Sequence, residues 1–399
     1  MSRYLAILLS WLSMIVTPLA IAAELVAVNG ERQTATLVGL DDTSQFIFRI
    51  DGKNQSLNAA QFIRWGEAVE KYDSPLAVAA DGSVIVAYEH GKLEIAEDVL
   101  NCETLLFGDL KIPVEHLLGI VFQPPEKSRH LDSIIYGLFH TKATTDVAIL
   151  ENGDQLQGAV TSLKEQQIHL RSATEVRPVE IRKTVTLKFN SALVDTVKLP
   201  AVRTIVSFND GSRIVAQTWT KSDGTVKLTT PCGLSVQKKA DDIAAIQTFG
   251  SHVTYLSDLK PARYRPRPYL SLSWPYRADR STLDGRLRCG GRRFEKGVGI
   301  HSAAVVTYQL DRAYKRFDTS LGIDDGTKGR GSVVIAVYAN DGDKKSTEKF
   351  KSGVIRGGET AVPVSIDIRG ATRLSLIVDV ADHGDKQDHA VLLDARLIP

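Results

Sequence analysis

Four times between residues 24 and 250, a short apolar run breaks into a turn built on Asn-Gly or Asp-Gly. This recurrence constrains the fold more than any other feature of the chain. The runs are Val26-Ala27-Val28-Asn29-Gly30, Val78-Ala79-Ala80-Asp81-Gly82, Ile149-Leu150-Glu151-Asn152-Gly153 and Val206-Ser207-Phe208-Asn209-Asp210-Gly211. Such pairs accept the positive φ that tight hairpins require, so each run reads as one arm of a β-hairpin. Each copy then has a middle alternating strand: Phe46-Ile47-Phe48, Leu93-Glu94-Ile95, Ile168-His169-Leu170 and Val226-Lys227-Leu228. Each closes on an apolar run and an aromatic, at Trp65, Phe122, Phe189 and Phe249, about 35 to 40 residues after its turn glycine. The period predicts small, strongly bent β-modules in tandem, SH3-like or Sm-like half-barrels. The competing reading is one larger sandwich whose hairpins merely look alike.

The rhythm is broken once. Pro124-Pro125 opens an insertion, and Arg129 to His140 carries apolar residues at Leu131, Ile134, Ile135, Leu138 and Phe139. That spacing predicts one short amphipathic helix, either covering a barrel end or docking a protein partner. The repeats thus divide into a pair over 23–123, then the helix insertion and a second pair over 124–250.

The last third is arranged around Lys296-Gly297-Val298-Gly299-Ile300-His301-Ser302. Its two glycines let the backbone turn tightly or lie close to another chain or a ligand. Alternating strands follow at 305–310, 317–323, 332–338, 362–368 and 374–380. Between and after them stand Gly322-Ile323-Asp324-Asp325, Gly329-Arg330-Gly331-Ser332-Val333, Asp388-His389-Ala390 and Asp394-Ala395-Arg396-Leu397. With Tyr255-Leu256-Ser257-Asp258-Leu259 and Trp274-Pro275-Tyr276-Arg277, this ordered set resembles the carbohydrate-binding module first described in family 98 glycoside hydrolases, over about 254–399. The resemblance implies a galactose-binding-like β-sandwich that takes a glycan. In one departure, the family often follows Asp-His-Ala with Asp-Trp, where this chain has Val391-Leu392. If the missing pair holds ligand elsewhere, this copy has an altered or lost sugar site.

The expected architecture is therefore all-β: tandem small β-modules with one short helix, then a sandwich. Residues 1–22 read as a signal peptide, with Arg3, an apolar run from Tyr4 to Val16, Pro18 and an Ala20-Ile21-Ala22 cleavage site. The run is too short and too interrupted by Ser10 and Ser13 for a membrane span, so the chain is expected to be secreted or periplasmic. The formal net charge of +2 excludes a nucleic-acid coat. Cys102, Cys232 and Cys289 permit one disulfide in an exported protein or serve as three buried small residues. Between 255 and 293, nine arginines interleave with Tyr264, Tyr269, Trp274 and Tyr276. That stretch suits bases, an anionic polysaccharide, or packing on the module's own surface.

No nucleophile elbow, zinc-protease helix or phosphate loop is present, so no catalytic residue is assigned. A pyranose offers an apolar face for a ring and hydroxyls for charged side chains. Trp274, His301, Asp325, Arg356, His389 and Asp394 are the residues available for that task. His301, Asp325, His389 and Asp394 are expected to meet in space. Asp324, Asp382, Asp385 and Asp388 read either as calcium ligands or as solvated turn residues. The function expected is an exported, non-catalytic glycan binder with its repeats as scaffold. The alternatives are an envelope scaffold without sugar binding, an accessory protein to a glycoside hydrolase, or an enzyme within 24–250.

Overall fold

A computed structural model of the chain describes residues 22–70, 72–250, 252–267, 273–340, 346–382 and 384–399. The leader before Ala22 and Tyr269 of the basic stretch lie outside the described residues.

The repeats fold as the turn signals require. In each unit the first strand pairs antiparallel with the last: Ala22–Ala27 with Phe62–Gly66, Leu76–Ala79 with Leu117–Val121, Asp146–Leu150 with Thr184–Lys188, and Arg203–Phe208 with Ile243–Phe249. Each unit thus has its first and last strands side by side, and the four units share one continuous 19-stranded sheet and one hydrophobic core. The closing aromatics Trp65, Phe122, Phe189 and Phe249 are all buried, which explains their recurrence. In the first unit Phe62 meets Phe46 and Phe48 edge-on, with ring centroids 5.5 and 5.3 Å apart. Burying each such ring stabilises the unit by roughly 1.5–3 kcal/mol. The closing strands also join units edge to edge, Phe62–Gly66 with Ile243–Phe249 and Leu117–Val121 with Thr184–Lys188. Such pairing leaves fewer open edges for misassociation.

One α-helix, Ser128–His140, is found where the 3.6-residue period places it. At 13 residues it is too short to be stable alone in water. Leu131 and Leu138 hold it against Leu76, Val78, Val84 and Val121 of the second unit. Among the described residues no helix is long and apolar enough to cross a membrane.

The C-terminal part is a sandwich of two antiparallel sheets. One runs Arg277–Ala278, Gly297–His301, His389–Ile398, Arg316–Ile323, Val362–Asp367; the other runs Arg263–Pro266, Ala304–Gln309, Arg373–Val380, Ser332–Asn340, Thr347–Lys351. Between them lie Ile300, Phe317, Leu321 and Leu392 of the first sheet and Val306, Tyr308, Ile335 and Leu376 of the second. The expected turn at Gly297 and Gly299 is instead a fully buried strand. A Cβ on Gly297 would lie 2.4 Å from the Leu392 carbonyl oxygen, and one on Gly299 would lie 2.4 Å from that of Arg280. These glycines admit close neighbouring backbone.

The arginines of the linking stretch divide: Arg263, Arg265 and Arg267 are exposed, Arg277 and Arg280 pair with Asp284 of the module itself, and Arg288, Arg292 and Arg293 reach the repeats. Arg288 grips Glu70 at 2.7 Å and Asp132 at 2.6 Å, Arg292 reaches Glu67 at 2.8 Å, and Arg293 reaches Glu70 at 3.4 Å. Glu295 sits among Arg213, Arg286 and Arg293. Burial alone would raise its pKa, but the three guanidinium groups outweigh burial and hold it well below the carboxylate range. All three cysteines are free thiols, so the disulfide alternative is not realised.

Candidate functional site

The loop end of the sandwich gathers the residues that carry chemistry. His301 ends the strand Gly297–His301 and His389 begins the strand His389–Ile398. The two strands pair antiparallel with His301 opposite His389, which brings side chains 88 positions apart in sequence face to face. Their ring centroids are 4.7 Å apart at 73°. Trp274 completes the group, stacked on His301 at 5.3 Å and edge-on to His389 at 4.7 Å. The indole is half-buried, while His301 and His389 are 7% and 2% exposed.

Burial sets the charge of this cluster. It is the largest cause pulling His389 down to about 3, with His301 and Arg129 adding to it. It also lowers His301, against the pull of Asp388. Both imidazoles are therefore neutral near pH 7. Nδ1 of His389 is 2.8 Å from Oγ1 of Thr282, and Nδ1 of His301 contacts the Ser302 carbonyl. An indole edge with two neutral imidazoles behind it forms a rigid, weakly polar surface suited to a C–H face.

Beside this cluster runs a polar cleft of about 440 Å³, lined by Arg330, Ser332, Arg356, Asp382, Lys386 and Gln387. Arg356 is exposed and donates to Asp382 at 2.8 Å. Gly331 has φ +88°, and a Cβ there would meet the Gln387 carbonyl at 2.0 Å, so this wall is backbone against backbone. Asp388 joins cleft and cluster. Its carboxylate accepts from Ser302 Oγ at 2.7 Å and from Ser332 N at 2.8 Å, and burial raises its pKa.

Trp274, His301 and His389 thus meet, and Arg356 lies on the neighbouring cleft. Asp325 is a turn lock, its two oxygens accepting from the amides of Gly290 and Gly291 at 2.9 Å each. Asp394 does not join the histidines. It lies five residues further along the strand, on the order of 16 Å at strand rise. A bulge with φ +48° turns it toward the repeats, where Arg64 donates at 3.1 Å and Gln247 at 3.4 Å.

The four aspartates read as calcium ligands have the following protein partners. Asp324 accepts from Arg129 at 2.9 Å and Gly326 N at 2.8 Å, Asp388 is taken by the two serines, and Asp382 pairs with Arg356. The backbone carbonyl of Asp385 accepts from Asp388 N at 3.4 Å. Among the described residues none of these four belongs to a group of three or more ligand atoms close enough to share an ion. Val391 and Leu392, which replace the Asp-Trp of the resemblance, are fully buried core residues.

Sequence reasoning missed Thr282, Arg330, Ser332 and Lys386. Ser302 stood in the glycine motif beside His301 and could have been read, whereas Thr282 gave no signal. Arg129, on the helix of the repeat region, reaches Asp324 beneath the cluster.

Residues 252–398 match the family model for the NPCBM/NEW2 domain. Alpha-1,3-galactosidase B of Akkermansia muciniphila is 33% identical over 122 residues, which is 30% of this chain and 15% of that protein. Among solved structures, CBM51 from Clostridium perfringens GH95 in complex with methyl-galactose is 25% identical, covering 36% of this chain and 99% of the other, with a TM-score of 0.32. CBM51-2 with the INT domains from Clostridium perfringens ZmpB, in complex with GlcNAc, is 27% identical over 46% of this chain and 40% of the other, also with a TM-score of 0.32.

Proposed function

Taking residues 252–398 as an NPCBM/NEW2 domain, we propose that this protein is an exported, non-catalytic carbohydrate-binding protein. Its sandwich holds a glycan, and its four β-units are the scaffold that positions the sandwich. The observation that carries this reading is the coincidence of the matched segment with a loop end that gathers Trp274, His301 and His389 beside the Arg356 cleft. The indole covers a sugar face, while Arg330, Arg356, Asp382 and Lys386 supply charge-assisted bonds to hydroxyls. Galactosyl glycans are the first class to test, because the Akkermansia relative is named for an alpha-1,3-galactosidase. Export is proposed from the leader at 1–22, which N-terminal sequencing of protein recovered outside the cytoplasm checks.

A glycan array probed with the chain from residue 23 onward tests the reading. Binding to a defined sugar set that Arg356→Ala weakens supports it. An array without signal, for protein with an intact thermal transition, favours an envelope scaffold instead.

A further inference from the structure

Away from the sandwich, a 3-10 turn, Val114–His116, leads into the closing strand of the second β-unit, and no part of the carbohydrate reading uses it. We infer that Glu115, His116 and Asp195 form a binding site for a divalent transition metal of the zinc type, which clamps the segment joining the third and fourth units onto the second.

The three groups offer a carboxylate, an imidazole and a carboxylate whose ligand atoms all lie within 4.8 Å of one another. His116 Nδ1 is 3.5 Å from the nearer Asp195 oxygen. Ligands bound tetrahedrally to zinc at about 2.0–2.1 Å stand about 3.4 Å from each other, so this pair already has the required spacing. The backbone prepares the geometry without using the ligand atoms. Asp195 N donates to the Glu115 carbonyl at 2.8 Å, and Ala80 N donates to the His116 carbonyl at 2.8 Å.

A second observation points the same way. His116 Nδ1 is sealed from solvent and makes no hydrogen bond. A buried ring nitrogen that faces a carboxylate yet makes no hydrogen bond is costly and calls for an explanation. A metal ion accepting its lone pair supplies one. Glu115 and Asp195 are exposed, so the ion has a path in and a place for water as fourth ligand. The imidazole selects against calcium and magnesium, which prefer all-oxygen sites.

The ion would fasten a stretch with little regular structure. Between the strands Thr184–Lys188 and Arg203–Phe208 the chain has turns and extended segments alone, with Asp195 near their middle.

The test uses the chain from residue 23 onward, stripped with chelator and titrated with Zn²⁺ by calorimetry and with Co²⁺ by visible absorption. The expected result is a single Zn²⁺ per chain, a Co²⁺ band that Zn²⁺ removes, and a melting midpoint that climbs with the logarithm of Zn²⁺ concentration. His116→Ala and Asp195→Asn should each weaken Zn²⁺ by at least about tenfold. Asp195 is exposed and its fixing bond is made by its backbone, so Asp195→Asn keeps the fold if His116→Ala does not. No Zn²⁺ binding, equal binding in both variants, or equal binding of Ca²⁺ overturns the inference.

Discussion

At the scale of residues, the His301–His389–Trp274 cluster is held together by burial, and burial makes it sensitive to acid. His389 falls from an ordinary 6.5 to about 3 in the folded protein. Its contribution to stability is therefore complete above about pH 6.5 and is lost as pH falls toward 3, with a slope of up to about 1.4 kcal/mol per pH unit for the proton taken up. His301 acts in the same direction. Asp388 and Asp324, raised by burial, act in the opposite sense, and their contribution is fully present only below about pH 3.8. His389→Gln should therefore make the melting midpoint less sensitive to acid below pH 6.5 than it is in the wild type. Equal slopes for the two proteins would contradict this assignment. The same burial sets what His301→Ala is expected to do. Removing a buried ring stacked on Trp274 should cost stability, on the order of 1–3 kcal/mol by urea unfolding. An unchanged unfolding midpoint would show that the ring carries no packing. Both histidines were legible because each adjoined a motif, glycine turn or Asp-His-Ala. Asp394 was misread because its direction depends on a bulge in the strand, which leaves no mark in the alternation of the sequence.

At the scale of elements, the helix Ser128–His140 joins two bodies. Leu131 and Leu138 face the second unit, while Asp132 accepts from the Arg286 amide at 2.8 Å and from Arg288 at 2.6 Å. Asp132 holds its charge because these donors outweigh its burial, which by itself would raise its pKa. Asp132→Ala leaves Arg288 with Glu70 alone and should destabilise by about 3 kcal/mol, the scale for removing one partner of a buried pair. Denaturant unfolding measures this, and a loss below about 1 kcal/mol would place the pair among weak surface bridges. The period of the helix was readable, and so was one face of it. Its second attachment was not, since Asp132 and Arg288 are polar residues whose pairing has no period.

At the scale of the whole molecule, the all-β architecture was legible because turn chemistry and closing aromatics repeat unit by unit. The docking of repeats onto sandwich was not. It rests on ion pairs such as Arg64–Asp394 and Arg213–Glu295, between segments far apart in the chain. Glu295→Gln should leave three arginines without their shared carboxylate, lowering the melting midpoint and speeding proteolysis between the two parts. Half-buried Glu180→Gln, the control, which pairs with its sequence neighbours Arg182 and Lys183, should do neither. The linking stretch looked like a ligand surface because composition reports charge and is silent on partners.

The central claim is that the loop end of the sandwich is where a glycan sits. The dissociation constant of the strongest array ligand, measured by calorimetry for wild type, Trp274→Ala and Trp219→Ala, tests it most directly. Trp219 belongs to the fourth β-unit and donates to the Ser44 carbonyl at 3.1 Å, far from the cluster in topology. The account predicts that Trp274→Ala weakens binding by at least about tenfold, the scale of about 1.4 kcal/mol, while Trp219→Ala leaves it unchanged. Binding retained by Trp274→Ala, or lost equally in both variants, would contradict it.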